Sequence, residues 1–247
     1  MRRTWIRRSL AITACTAMAV AACVAISTPA VAEDGTTVHI SGPTTIIVGT
    51  KSPIGFTVAG TIITNDPTQT DIDWDFAGSS SNCFLFYSGD TTGTSSGTFS
   101  DHDFVTPSDL TNDCEGANVL KISAIDFSND GGTDDAVRTV RILRAARWES
   151  FNAHPEPIHK GGTLHIDGTL QRANWDDGTY HRYTQHTAEL QFRTMTGSYA
   201  KVRTVSGPTG DFSAKETQKV SGCWRYVFEG SSTTGPATTA GDCVTVH

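Results

Sequence analysis

Amphipathic helical periodicity is almost absent from this sequence, which argues against a helical or alternating α/β architecture. No apolar run after residue 26 is long enough to cross a membrane as a helix. Basic residues are scarce where a nucleic-acid ligand would need them. Residues 33–146 hold 5 Lys and Arg against 16 Asp and Glu, a net of −11. Phosphate backbones are gripped by clustered cations, so nucleic acid is not expected as a partner. Residues 147–247 hold 10 of each sign, so the charge imbalance sits wholly in the first half. No Cys-x-x-Cys or close Cys/His spacing occurs, which removes the usual zinc frameworks.

The first 32 residues read as an export signal. Arg2, Arg3, Arg7 and Arg8 form a positive start, Leu10 to Ile26 is apolar and small, and Ala30-Val31-Ala32 is a small-x-small cleavage site before Glu33. Val20-Ala21-Ala22-Cys23 also resembles a bacterial lipobox, which would make Cys23 a lipid anchor; soluble secretion is the preferred reading. Beyond the signal four cysteines remain: Cys83, Cys114, Cys223 and Cys243. An even number in an exported chain points to disulfides, with three connectivities open. Cys83–Cys114 and Cys223–Cys243 are preferred, because each pair then lies within one half of the chain.

What is abundant is Thr, Ser and Gly between short alternating runs spaced by roughly ten residues, the pattern of β-sandwiches. The organising stretch is Ser221–Val246. Trp224, Tyr226 and Phe228 fall on one face of a strand, and Cys223, Arg225 and Val227 on the other. Val244 and Val246 begin a second alternation after a Ser/Thr/Gly/Pro loop. Earlier strands are expected near Thr37–Ser41, Thr44–Val48, Ile54–Val58, Ile72–Phe76, Phe84–Tyr87, Val119–Ile125 and Ala136–Leu143. Later ones are expected near Trp148–Asn152, Thr163–Leu170, Ala188–Arg193, Tyr199–Val205 and Phe212–Gln218. Gly89 to Ser100 reads as a loop. Thr196-Gly197-Ser198 and Gly207–Asp211 read as turns. A boundary at 145–147, where the charge balance changes, gives residues 33–146 and 147–247 as two all-β sandwiches, each expected to fold alone.

Lys160-Gly161-Gly162-Thr163-Leu164, Leu190-Gln191-Phe192-Arg193, Gly210-Asp211-Phe212, Trp224-Arg225-Tyr226 and Val244-Thr245-Val246 together resemble the bacterial immunoglobulin-like domains of exported actinobacterial proteins. Residues 37–146 resemble another such module more loosely, through Ile125–Gly131. The resemblance implies tandem Ig-like sandwiches without catalytic residues to carry over. The cysteine pair of the second half departs from it.

Several patterns bear on chemistry. Gly93-Thr94-Ser95-Ser96-Gly97 matches a nucleophile elbow, but no helix follows to lift the serine. Asp71, Asp73 and Asp75 alternate with Ile72, Trp74 and Phe76, as on a strand with one solvated face. Asp101, Asp103, Asp109, Asp113 and Glu115 crowd one loop region, and Asp126, Asn129, Asp130, Asp134 and Asp135 another. Calcium takes its oxygens from such loops, so Asp101, Asp103, Asp113, Asp126 and Asp130 are the candidate metal ligands. Turn-forming acids in a soluble acidic module explain the same residues. Asn174 to Tyr183 is a polar loop with three aromatics, Trp175, Tyr180 and Tyr183, which exposed could stack on a sugar. Packed, they would fold the loop back on the sandwich.

The function these features point to is extracellular binding, adhesion or surface structure, without catalysis and without a cofactor. The ligand would be extracellular, a cell-wall glycan or a protein. A calcium-binding module is the first alternative, with Ca²⁺ in the acidic half. A small secreted hydrolase is the second.

Overall fold

The computed structural model describes residues 37–63, 70–77, 83, 87–91, 97–126 and 133–247. The export signal and the Gly93–Ser96 stretch lie outside the described residues. The first sandwich is built from β1 (Thr37–Ser41), β2 (Thr45–Val48), β3 (Ile54–Ile63), β4 (Thr70–Ala77), β5 (Tyr87–Thr91), β6 (Gly97–Val105), β7 (Gly116–Asp126) and β8 (Thr133–Arg144). One sheet has the order β1-β3-β6, and the other β2-β8-β7-β4-β5. All pairs are antiparallel except β2 with β8, which run parallel. In immunoglobulin lettering these are an A-B-E sheet and an A′-G-F-C-C′ sheet.

The second sandwich comprises β9 (Ala146–His154), β10 (Gly162–Asn174), β11 (Thr179–Arg182), β12 (His186–Thr194), β13 (Ala200–Gly207), β14 (Asp211–Gln218), β15 (Gly222–Phe228), β16 (Ala237–Thr238) and β17 (Asp242–Val244). Strand β10 carries β9, β11 and β14 in one sheet. In the other, β12 and β15 pair centrally, with β13 on one side and the short β16 and β17 on the other. This is again A-B-E against C′-C-F-G, so the fold is immunoglobulin-like and all-β, as the alternation predicts.

Alternation explains the cores. Trp224, Tyr226 and Phe228 join Leu164, Ile166, Leu190 and Phe212 in one buried cluster. Tyr226 is fully buried, and its hydroxyl donates to the Ile166 carbonyl at 3.0 Å. Burial pushes that phenol well above its ordinary range, so it stays a neutral donor. The first cluster holds Val48, Phe56, Val58, Leu120, Ile122 and Ile142. Across β4 and β7, Trp74 pairs with Ile122 while Asp73 and Asp75 pair with Ser123 and Lys121.

Both disulfides are the expected ones. Cys83 is bonded to Cys114, and Cys223 to Cys243, which sit directly opposite each other on β15 and β17. The turn at 207–211 closes through the Gly210 N–H on the Gly207 carbonyl at 3.1 Å. Gly210 has φ +87°, a conformation that favours glycine.

Two expectations need correction. Gly89 to Ser100 is not one loop: β5 reaches Thr91 and β6 starts at Gly97. Asp101 and Asp103 are strand residues of β6, not loop residues. Phe99 and Val105 of that strand are buried, and the two acids share their parity. Among the described residues β6 pairs with β3 alone, and an inward-facing charge on such an edge strand discourages further pairing. The acids masked the alternation. Residues 84–86, in the strand expected at Phe84–Tyr87, lie outside the described residues.

Candidate functional site: the junction of the two sandwiches

A single residue, Ala145, separates β8 from β9. So short a connection brings the base of the first sandwich against the top of the second. From the first come the turn after β2 and the segment between β6 and β7, whose two 3-10 turns span Pro107–Asp109 and Asn112–Cys114. From the second come the β10–β11 hairpin and the loop between β15 and β16.

Trp175 is the centre of the contact. It belongs to the second sandwich by sequence, yet it is 4% exposed and packs in the core cluster of the first. Its indole N–H donates to the carbonyls of Val48 at 3.3 Å and Gly49 at 3.0 Å. Its backbone N–H donates to Asn112 Oδ1 at 3.1 Å. Asn112 Nδ2 donates to Asn174 Oδ1 and Asp176 Oδ2, both at 2.5 Å, and its backbone N–H to Asp176 Oδ1 at 3.0 Å. Arg144 donates to Asn112 Oδ1 from the other side. One asparagine thus ties the end of β8 to the hairpin tip.

A charged layer lies beside it. The Glu115 carboxylate is 2.6 Å from Arg144 Nε and 3.2 Å from Arg172 Nη1, so one acid of the first sandwich faces a cation from each. The Arg144 contact is close in charge but lacks hydrogen-bond geometry at Nε. Burial raises the Glu115 pKa, against the pull of Arg172. Arg172 lies 4.5 Å over the Tyr183 ring, and the Tyr183 hydroxyl accepts from Thr234 at 3.0 Å. The Arg144 N–H donates to the Thr233 carbonyl and the Gly235 N–H to the Arg144 carbonyl, a parallel bridge that zips the sandwiches together.

The three aromatics expected to offer faces to a sugar are placed otherwise. Trp175 and Tyr183 are buried, and Tyr180 is half-buried with Arg147 4.0 Å over its ring. The loop does fold back, with Trp175 and Tyr180 against the core of the neighbouring sandwich and Tyr183 in the core of its own. Its second half is a strand, β11, paired with β10.

The candidate metal ligands are scattered. Asp101 and Asp103 accept backbone N–H bonds from His102 at 2.8 Å and Phe104 at 2.7 Å, and Asp113 sits in the second 3-10 turn. Asp126 ends β7 and Asp130 lies outside the described residues. Among the described residues, no group of three His, Cys, Asp or Glu is arranged around a metal position. The histidines take local partners: His154 with Asp167 at 3.0 Å, His181 with Asp177 at 2.6 Å, and His159 beside His247.

Two clefts open near the junction. One, of about 820 Å3, lies between residues 146–152 of β9 and the 237–242 segment. There β9 leaves the neighbouring edge to pair with β10, while bridges Arg144–Thr234 and Ile158–Val246 close the seam at either end. The other, of about 510 Å3, lies between the turn after β2 and the β10–β11 hairpin. Of the residues singled out in the sequence as ligand-binding, Tyr180 lines the second cleft; the clefts themselves join segments about 90 or more positions apart, which no local pattern encodes.

No family model matches the chain, and no curated protein matches it. Among solved structures a marsupial T cell receptor is similar at a TM-score of 0.35 and 10% identity, over 85% of this chain and 72% of that one. A likeness that distant carries no functional argument.

Proposed function

We propose that this chain is a secreted, non-catalytic immunoglobulin-like module that acts in binding, adhesion or spacing at the cell surface. The observation that supports this reading most is the junction. In immunoglobulin-like domains the B–C and F–G loops form one end of the sandwich and serve as binding loops in variable domains. Here those loops of the second sandwich, Asn174–Gly178 and Ser231–Gly235, grip the first sandwich instead. These contacts tie the two sandwiches together, as a spacer or presenting scaffold requires. Two disulfides suit an oxidising compartment outside the cell. No helix among the described residues is long and apolar enough to cross a membrane.

The test is a retention screen of the purified protein on cell-wall preparations, glycans and surface proteins, run beside assays with ester, peptide and glycosidic substrates. Retention without turnover is expected. Turnover that survives repurification and is lost on a point substitution would overturn the reading.

A further inference from the structure

We infer that the 510 Å3 pocket at the junction binds the anionic group of an acidic extracellular glycan or polyol polymer, through Arg147 and Lys51. The inference rests on the reading of the chain as an extracellular binding module, and it names the ligand class. The pocket is of small-ligand size and lies between two sandwiches, where such sites concentrate.

Its charge is the opposite of its surroundings. Residues 33–146 have only five cations, and one of them, Lys51, lines this pocket beside Arg147 of the second sandwich. No Asp or Glu lines it. Asp177, next to the lining residue Gly178, is engaged by the Thr179 N–H and hydroxyl and by His181. Lys51 has no carboxylate partner among the described residues.

Arg147 is held without being neutralised. Its Nε donates to Gln171 Oε1 at 2.9 Å, and Gln171 is itself buried. Its guanidinium lies 4.0 Å from the Tyr180 ring centre. Both partners are neutral, and both terminal amino groups are without an acceptor among the described residues. Arg144, Arg172, Arg182 and Arg203, by contrast, each face a carboxylate. A guanidinium oriented by neutral groups keeps its full charge and its planar fork, the geometry that takes carboxylate or phosphate oxygens in pairs. Fixing it beforehand also lowers the ordering cost of binding.

The remaining lining suits a hydroxylated chain. Thr50 and Ser52 present hydroxyls, and the Tyr180 hydroxyl has no hydrogen-bond partner among the described residues. Uronate carboxylates and polyol phosphates share this chemistry.

The experiment is calorimetric titration of the purified protein at low salt with polygalacturonate, with a poly(glycerol phosphate) chain, and with neutral dextran. Binding of at least one polyanion and not of dextran is expected, and whichever polymer binds identifies the source. Lys51→Glu and Arg147→Gln should each weaken binding tenfold or more, with unchanged circular dichroism. Lys51 has no partner among the described residues to lose, so K51E keeps the test valid even if R147Q perturbs folding. Failure of both polyanions, or undiminished binding by K51E, would overturn the inference. Cell-wall retention measured on the same proteins separates the two readings. Retention that K51E and R147Q leave intact removes this pocket but not the proposed function. Polyanion binding in a protein that turns over substrate removes the proposed function but not the pocket.

Discussion

Trp175 shows what a single side chain contributes at this junction. It fills the core of a sandwich to which it does not belong in sequence, with both N–H groups satisfied. Trp175→Ala should therefore cost about 3–5 kcal/mol, as for a large buried aromatic, and the loss should fall on the first sandwich. Urea unfolding followed by probes specific to each sandwich would show it. His186 supplies a second residue-scale test. Its ring packs 3.7 Å from Tyr183, and burial, aided by Arg172, lowers its pKa below the ordinary histidine value. The folded state then resists a proton that the unfolded chain accepts. Stability should fall as pH drops below about 6.5, and level off once the folded-state pKa is passed. In His186→Phe this part of the pH dependence should vanish, which a pair of denaturation series at pH 7.5 and 5.5 would reveal. At this scale the sequence was legible where alternation was clean, as in Trp224, Tyr226 and Phe228. It was not legible at Trp175, because an aromatic in a polar loop looks the same whether it faces solvent or a distant part of the chain.

Strands and their staples form the next scale. The disulfides close segments separated by 31 and 20 residues, so each should stabilise by about 3–4 kcal/mol in the chain-entropy picture. Reductant should lower the melting temperature, and thiol titration before reduction should find no free cysteine among the four. Most strands could be read from two-residue periodicity. The exceptions have physical causes. β6 hides its pattern behind Asp101 and Asp103, and β11 is only four residues long inside a polar loop. The broken edge of β16 and β17 carries too few residues for a pattern to register. Pairing of β2 with β8 is parallel and joins residues about 96 positions apart, which no local signal encodes.

For the whole molecule, the junction makes the halves unequal. Residues 147–247 keep their own core cluster intact and should fold alone. Residues 33–146 alone would lack Trp175, leaving the indole's place in their core empty. Expressed separately, the second half should give dispersed amide resonances. The first should melt well below its transition in the full chain. Equal stability of the first half in both contexts would show that the indole adds nothing to it. The charge imbalance and the cysteine count pointed to two units in the sequence, but neither could reveal that they interlock.

With Trp175 and Asn112 joining them, the two sandwiches should move as one body. Residual dipolar couplings for backbone amides of both sandwiches measure this directly. One alignment tensor should fit all of them in the native chain, and Trp175→Ala should separate them into two tensors. Two tensors of different magnitude in the native protein would contradict it.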